Sequence, residues 1–522
     1  MAVEVKKLLL LIISLGSIIS FTVARASNIS WWCSKTPHPG PCEDFLHHYP
    51  SHHRPNHLPE FRNILIQIAL DQALTAHKRI AEFGDNCTSK YQKVAWSDCV
   101  KLYNNTIFQM SQTIEGLEKN RSTGFDAQTW LSTALTNLQT CQRGYMDLNI
   151  SDFLEPIMSD NLTYLISNSL SINGAFLPPR NFTPQVFPSW LTVQEKRLLV
   201  STSLKSIANL VVAKDDTGNF TTVQAALDAA ASRSSTGRFI IYVKRGVYKE
   251  NIEVANGNND IMIVGDSMGS TIITASRSTQ GGYTTYSSAT AGIDGLRFIA
   301  RDITFSNMAG PTNGQAVALR SASDLSVFFR CAIQGYQDTL MVHSQRQFYR
   351  ECYIYGTIDF IFGNAAVVFQ TCNIFVRKPL TGQGNMITAQ GRGDPYQNTG
   401  IVIHNCQILP DPAFKPVVSS YQTYLGRPWQ QYSRTVILET YIDSMISPEG
   451  WSQWGNSTFA LDTLYYGEYG NTGPGASTKS RVKWKGFHVI TSPSVASGFT
   501  VSNFIAGSSW LPATGVPFTA GL

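Results

Sequence analysis

Asp338 and Asp359 stand 21 residues apart. The first lies in Gly335-Tyr336-Gln337-Asp338-Thr339-Leu340, the second in Gly356-Thr357-Ile358-Asp359-Phe360-Ile361-Phe362-Gly363. Both segments are rich in β-branched and aromatic residues and read as strands with turn residues between them. A spacing of 21 is about one coil of a β-solenoid, so the two carboxylates should stack side by side on one face. Two neighbouring carboxylates suit hydrolysis by acid/base or nucleophilic catalysis. An aspartate at a solenoid turn also serves as a structural cap, so the pair alone does not fix a reaction.

The elements that must position this pair are legible in a loose repeat. Phe329-Arg330-Cys331-Ala332-Ile333, Arg350-Glu351-Cys352-Tyr353-Ile354, Gln370-Thr371-Cys372-Asn373-Ile374 and Asn405-Cys406-Gln407-Ile408 share a form. Their cysteines are spaced by 21, 20 and 34. A period near 20 with in-register Cys and Ile predicts a parallel β-helix whose coils stack like side chains on like. From Ala208 onward the pattern is β, with one early helix over Val223–Ala231. A Rossmann or hydrolase sheet is disfavoured because the alternating helices are missing. Gly265-Asp266-Ser267-Met268-Gly269 matches a nucleophile elbow, which requires a helix after it. The strand-like Ser270-Thr271-Ile272-Ile273-Thr274 follows instead, so we read a turn between coils.

The first half of the chain is a different object. Lys6 and Lys7 precede an apolar run from Leu8 to about Val23, then Ala24-Arg25-Ala26, the pattern of a secretory signal peptide occupying 1–26. Nothing later reaches about 18 consecutive apolar residues, so no other membrane span is expected. Sequons open at Asn28, Asn86, Asn104, Asn120, Asn149, Asn161, Asn181, Asn219 and Asn456, and seven of these nine precede residue 200. Long helical patterns run from Phe61 to about Phe83, from about Tyr91 to Leu117, over Asp126–Cys141 and from about Ile157 to Ile172. Leu131, Leu135 and Leu138 mark the apolar face of the third, and Asp126 is placed as its cap. Four such helices predict a bundle over 27–180.

Secretion predicts disulfides, and nine cysteines leave at least one unpaired. Cys33 with Cys42 and Cys99 with Cys141 are the expected pairs, with Cys87 the free thiol. In the β half Cys352–Cys372 is favoured and Cys372–Cys406 stays open. Residues 181–207 form a linker marked by Pro184 and Pro188 and carrying the dibasic Lys196-Arg197-Leu198-Leu199. The remainder, 208–522, is the β domain. A hydrophobic content of 43% with 15% charged residues fits a core-forming protein. A net charge of +5 is compatible with an acidic polymer partner and is too weak to argue for nucleic acid. No His/Cys/Asp cluster has metal-site spacing, so neither metal nor cofactor is expected.

Five segments in fixed order carry a resemblance. They are Gly246-Val247-Tyr248-Lys249-Glu250, Gln315-Ala316-Val317-Ala318-Leu319-Arg320, the two aspartate segments, and Leu425-Gly426-Arg427-Pro428-Trp429. Together they resemble the plant pectin methylesterases, carbohydrate esterases with a right-handed parallel β-helix. The first part resembles the pectin methylesterase and invertase inhibitor family, a four-helix bundle. The combination is similar to the precursor type of this enzyme, in which an inhibitor-like pro-region precedes the catalytic domain. Lys196-Arg197-Leu198-Leu199 resembles that type's processing motif, with Lys where Arg is common.

The resemblance implies a role for each matching residue. Asp359 falls on the nucleophile and Asp338 on the general acid that later becomes the base. Gln315 and Gln337 fall on oxyanion-stabilising positions. Arg427 and Trp429 fall on substrate-binding positions, Arg427 also orienting Asp359, and Thr285 on a further substrate contact. The implied substrate is the methyl ester of homogalacturonan in the cell wall outside the cell. The implied partners are a processing protease and an inhibitor-family bundle, either the chain's own or a separate one. His343 has no part in this mechanism and reads as structural. Met341 stands where the family usually has Tyr, Ser267 where a turn Gly is common, and Ala291-Gly292-Ile293 where a Phe-rich run is usual.

Two other readings remain in view from the residues. A β-helix glycosidase of the polygalacturonase type would use the same aspartate pair across a glycosidic bond. An inhibitor-like binding protein would leave the catalytic half silent, against which stand the intact Asp338, Asp359, Gln315, Gln337 and Arg427.

Overall fold

The structure is a computed structural model that describes residues 29–48, 55–153, 161–177, 204–234 and 237–522. The expected signal peptide and the Lys196-Arg197-Leu198-Leu199 motif lie outside the described residues. Two compact units result. The described residues of one fall within Met1–Phe83, Leu102–Leu138 and Glu155–Leu177; those of the other within Gly84–Lys101, Gln139–Leu154 and Pro178–Leu522. Gly84–Lys101 and Gln139–Leu154, which the sequence reading puts in the helical region, thus group with the strands.

The helical unit draws on the four expected long helices, observed as Leu58–Glu82, Lys90–Glu118, Gly124–Asp147 and Leu162–Gly174. Within it Leu58–Glu82 packs on Leu162–Gly174, and Phe61, Leu65 and Ile66 of the first and Leu165 and Ile166 of the second are buried. Two buried amides pair within this unit, which offsets the cost of burying them. Gln128 Nε2 donates to the Leu170 carbonyl and Asn173 Nδ2 to Gln128 Oε1. Asp126 is not the cap of its helix. Thr123 takes that place, with Thr123 Oγ1 accepting from Asp126 N–H and Asp126 Oδ2 accepting from Thr123 N–H, a reciprocal capping box. The Cys33–Cys42 disulfide forms as expected, and so does Cys99–Cys141 in the second unit, leaving Cys87 unpaired.

The second unit is a parallel β-helix of three sheets with 11, 7 and 8 strands. Successive coils pair in register. Ile333, Ile354, Ile374, Ile408 and Ile442 form one inward ladder. Phe328, Tyr349 and Phe369 form another, with ring centroids 4.6 and 4.7 Å apart. Burying each such side chain contributes roughly 1.5–3 kcal/mol, so the interior repeat drives the stacking. The Val223–Ala231 helix forms as expected, capped by Thr222, and buries Val223, Ala226, Leu227 and Ala230 in the same core. Gly265–Gly269 is a turn between the strands Ile261–Gly265 and Thr271–Ala275. Short helices at Pro493–Ser497 and Val501–Phe504, which the sequence pattern did not reveal, contribute to a second core with Val368 and Val402 of the 11-stranded sheet.

The favoured Cys352–Cys372 bridge does not form, nor does Cys372–Cys406; Cys331, Cys352, Cys372 and Cys406 are all buried thiols. They occupy one position in successive coils, with Cys352 N–H donating to Cys372 Sγ and Cys372 N–H to Cys406 Sγ. Equivalent positions in successive coils lie about 4.8 Å apart, within the Cα separation a disulfide can span, so the stacking brings the thiols together without itself joining them.

Candidate active site

The two aspartates sit at equivalent bends of adjacent coils. Leu340 pairs with Ile361 in the seven-stranded sheet, and each aspartate lies two residues before its member of that pair. Both have left-handed backbone, φ 60° at Asp338 and 51° at Asp359. This conformation suits Asp better than most residues and turns the chain from the eight-stranded sheet into the seven-stranded one. Asp338 N–H donates to the Ile358 carbonyl and Leu340 N–H to the Phe360 carbonyl, so the bends are locked on either side. Gln315 enters from the coil before, whose Leu319 pairs with Leu340. Arg427 follows directly on the strand Thr423–Gly426, two rungs beyond Asp359. Gly426 makes this approach possible, because a Cβ there would overlap the Thr388 side chain.

All seven sequence-predicted residues, Thr285, Gln315, Gln337, Asp338, Asp359, Arg427 and Trp429, line one cavity of about 130 Å³. Arg427 forks onto Asp359, Nε donating to Oδ1 at 2.9 Å and Nη2 to Oδ2 at 2.6 Å. Asp338 and Asp359 are 8% and 6% exposed, so charge there is costly. Burial pushes the Asp338 carboxyl well above the usual range, and the neighbouring Asp359 and Asp147 push it further. Burial also raises Asp359, but the Arg427 hydrogen bonds and charge oppose that rise. Of the pair, Asp338 is therefore the readier to hold a proton and Asp359 the readier to ionise.

Gln315 Oε1 accepts from Thr279 Oγ1 at 2.8 Å, which leaves the amide NH2 as the donor end of that side chain. Thr285 is buried, and its backbone N–H donates to Asp147 Oδ2. Trp429 packs edge-on to Phe362 at 5.9 Å between centroids. His343 is absent from the cavity lining. It is buried with its pKa pushed down to about 3 by desolvation, bonded to Thr140 and Ser344. That agrees with its reading as structural.

Sequence reasoning missed several lining residues: Tyr286, Phe362, Trp454, and Arg143, Gly144 and Asp147 from the end of the Gly124–Asp147 helix. Arg143 lies 6.0 Å from the Trp429 ring. Asp147 is its i+4 neighbour, with Arg143 Nε 3.4 Å from Oδ1. A paired Arg and Asp at helical spacing reads as an ordinary solvated face, so nothing local marked them. Met341, one of the departures from the family pattern, also lines the cavity.

Comparison with known proteins agrees with this geometry. Residues 209–508 match the family described as Pectinesterase, and residues 27–172 match Plant invertase/pectin methylesterase inhibitor. The probable pectinesterase/pectinesterase inhibitor 59 of Arabidopsis thaliana is 57% identical over 514 residues, 96% of this chain and 95% of that protein. Pectinesterase 2 of Citrus sinensis is 53% identical over 515 residues, 97% of this chain and 98% of that one. Among solved structures, a pectin methylesterase from carrot is 57% identical with a TM-score of 0.59, covering 60% of this chain and 98% of its own. Neither the glycosidase reading nor the silent binding-protein reading finds support among these relatives. The chain belongs to the pectinesterase family and is a carboxylic ester hydrolase that removes methyl groups from pectin, with an inhibitor-family region preceding its catalytic β-helix in sequence.

Proposed function

We propose that Asp359 is the nucleophile of this demethylesterification and Asp338 its proton carrier. The observation that carries the assignment is the Arg427 fork on one carboxylate of a buried pair. A carboxylate oxygen of Asp359 attacks the ester carbonyl of a methylated galacturonate, and the carbonyl electrons move onto oxygen. Amide N–H groups of Gln315 and Gln337 receive that oxyanion. As the tetrahedral species collapses, the C–O bond to the methoxy group breaks and Asp338 gives its proton to the departing methanol. An acyl anhydride joins substrate to Asp359. Asp338, now ionised, takes a proton from water as the water oxygen attacks the substrate carbonyl. The anhydride opens, Asp359 regains its carboxylate and the galacturonate carboxyl leaves. Trp429 offers an apolar face to a sugar ring and Thr285 a polar contact. Asp338→Asn tests the assignment, since an amide can neither give nor recover the proton. Methanol release should fall by several orders of magnitude; a folded variant with near-normal turnover would contradict it.

Delivery and activation belong to the same reading. Residues 1–26 carry the chain out of the cell, where it acts in the wall. A processing protease cuts at Lys196-Arg197-Leu198-Leu199, separating 27–180 from the catalytic region 208–522. Arg143, Gly144 and Asp147 lie in the segment before that site and line the cavity, which supports restricted substrate access until the cut is made.

A further inference from the structure

The Arg427 fork needs a second support. An arginine on four rotatable bonds holds a carboxylate in one plane only if its guanidinium plane is itself held. The two N–H groups on Asp359 constrain one edge of that plane. Against its face lies Trp454, with Arg427 Cζ 4.4 Å from the ring.

This contact is anchored by the fold. Gly426 bridges to Trp451 in the next coil, Ser452 N–H donates to the Gly426 carbonyl, and Leu425 N–H to the Gly450 carbonyl. Arg427 and Trp454 thus leave adjacent coils side by side, one residue past Gly426 and three past Trp451. Trp451 is fully buried, stacked on Tyr466 at 4.2 Å, and its Nε1–H donates to Glu468 Oε1. Glu468 is in turn held by Arg481 Nε at 2.8 Å. Beyond the bridge, Ser457 Oγ donates to the Trp454 carbonyl at 2.9 Å, closing the loop that carries the indole. Trp454 is half-buried and lines the cavity together with Arg427.

We propose that Trp454 is a positioning residue for the esterase reaction, its indole fixing the plane in which Arg427 holds Asp359. The inference rests on the reading of Asp359 as nucleophile. Trp454 acts through Arg427 and is distinct from Trp429, which is assigned to the sugar.

The test uses the enzyme secreted from the full chain, with Trp454→Ala and Trp454→Phe assayed for methanol release across pH. The charged and titratable groups facing Asp359 are Arg427, Asp338 and Tyr466, and Asp338 in turn faces Asp147 and Arg143. With the fork loosened, Asp359 loses part of the opposition to its burial. Trp454→Ala should lower kcat about tenfold with KM little changed, and move the acid limb of the kcat profile to higher pH. Trp454→Phe, which keeps an aromatic face, should recover most of both. A raised KM with kcat retained would make Trp454 a substrate contact and overturn the inference. So would a lowered kcat with an unmoved acid limb, or a folded Phe variant with no recovery. Asp359→Asn assayed in parallel separates the layers. If it turns over normally, the nucleophile assignment fails; if it is inactive while Trp454→Ala keeps the wild-type profile, only the positioning role fails.

Discussion

Arg427 holds Asp359 across 68 residues of sequence, one nitrogen on each carboxylate oxygen, and so makes two stacked aspartates chemically unequal. Coil geometry alone would give them the same environment, since both occupy the same bend. The guanidinium comes from two rungs further along and reaches only the nearer carboxylate. Replacing Arg427 by Lys keeps the charge but loses the planar fork. Arg427→Lys should lower kcat markedly and shift the acid limb upward, measured as methanol release against pH. A variant matching wild type would reduce Arg427 to a general electrostatic neighbour.

The pH dependence of the wild-type enzyme follows from the two carboxyls. Under the proposed mechanism, turnover requires Asp359 ionised and Asp338 protonated. As pH falls through the Asp359 value, the nucleophile gains a proton and the rate drops. That value is raised by burial, so the limb should lie above the ordinary aspartate range. As pH rises through the Asp338 value, raised further by burial and the neighbouring carboxylates, the acid is lost and the rate drops again. A kcat profile with no acid limb above the ordinary range would contradict this assignment.

Gln315 tests the oxyanion site. Its carbonyl end is held by Thr279, so its NH2 end is the one available to substrate. Removing one such donor typically costs about 2.7–4 kcal/mol, or roughly 100- to 1000-fold in kcat. Gln315→Ala should fall in that range with a smaller change in KM. A loss confined to KM would mean that the amide binds the ground state only.

Much of the fold and the aspartate pair is legible in the sequence. The 21-residue spacing placed Asp338 and Asp359 together because a coil repeats its geometry, and the same period gave the Ile ladder. At Cys352 and Cys372 the same repeat brings the thiols into one column, but a shared position does not by itself set the Cβ directions that a bond requires, and the two stay free. Asp126 has the residue type of a cap, but Thr123 three residues earlier has it as well, and the two act as a pair with Thr123 as the cap. Gln315, Arg427 and Thr285 came only through family resemblance, since no local pattern joins residues on different coils. Trp454, Tyr286 and Arg143 stayed hidden because loops, turns and helix ends carry no periodicity. Tertiary approach alone brings them to the cavity.

Processing can be tested with Lys196→Ala combined with Arg197→Ala. While 27–180 remains tethered, its effective concentration at the catalytic region is on the order of millimolar for a short flexible connection, so even a weak contact stays occupied. The double variant should yield an uncleaved chain that is poorly secreted or releases methanol more slowly than the segment from Ala208. Equal specific activities would rule out autoinhibition while leaving the esterase assignment intact.

The most direct test of the central claim is methanol release by Asp359→Asn. Asparagine keeps the shape of the side chain and can still accept from Arg427, but it carries no attacking charge. The variant should fold as wild type does, by circular dichroism and thermal unfolding, and release methanol from methyl-esterified pectin several orders of magnitude more slowly. A folded Asp359→Asn enzyme turning over at near the wild-type rate would show that the carboxylate held by Arg427 is not the nucleophile.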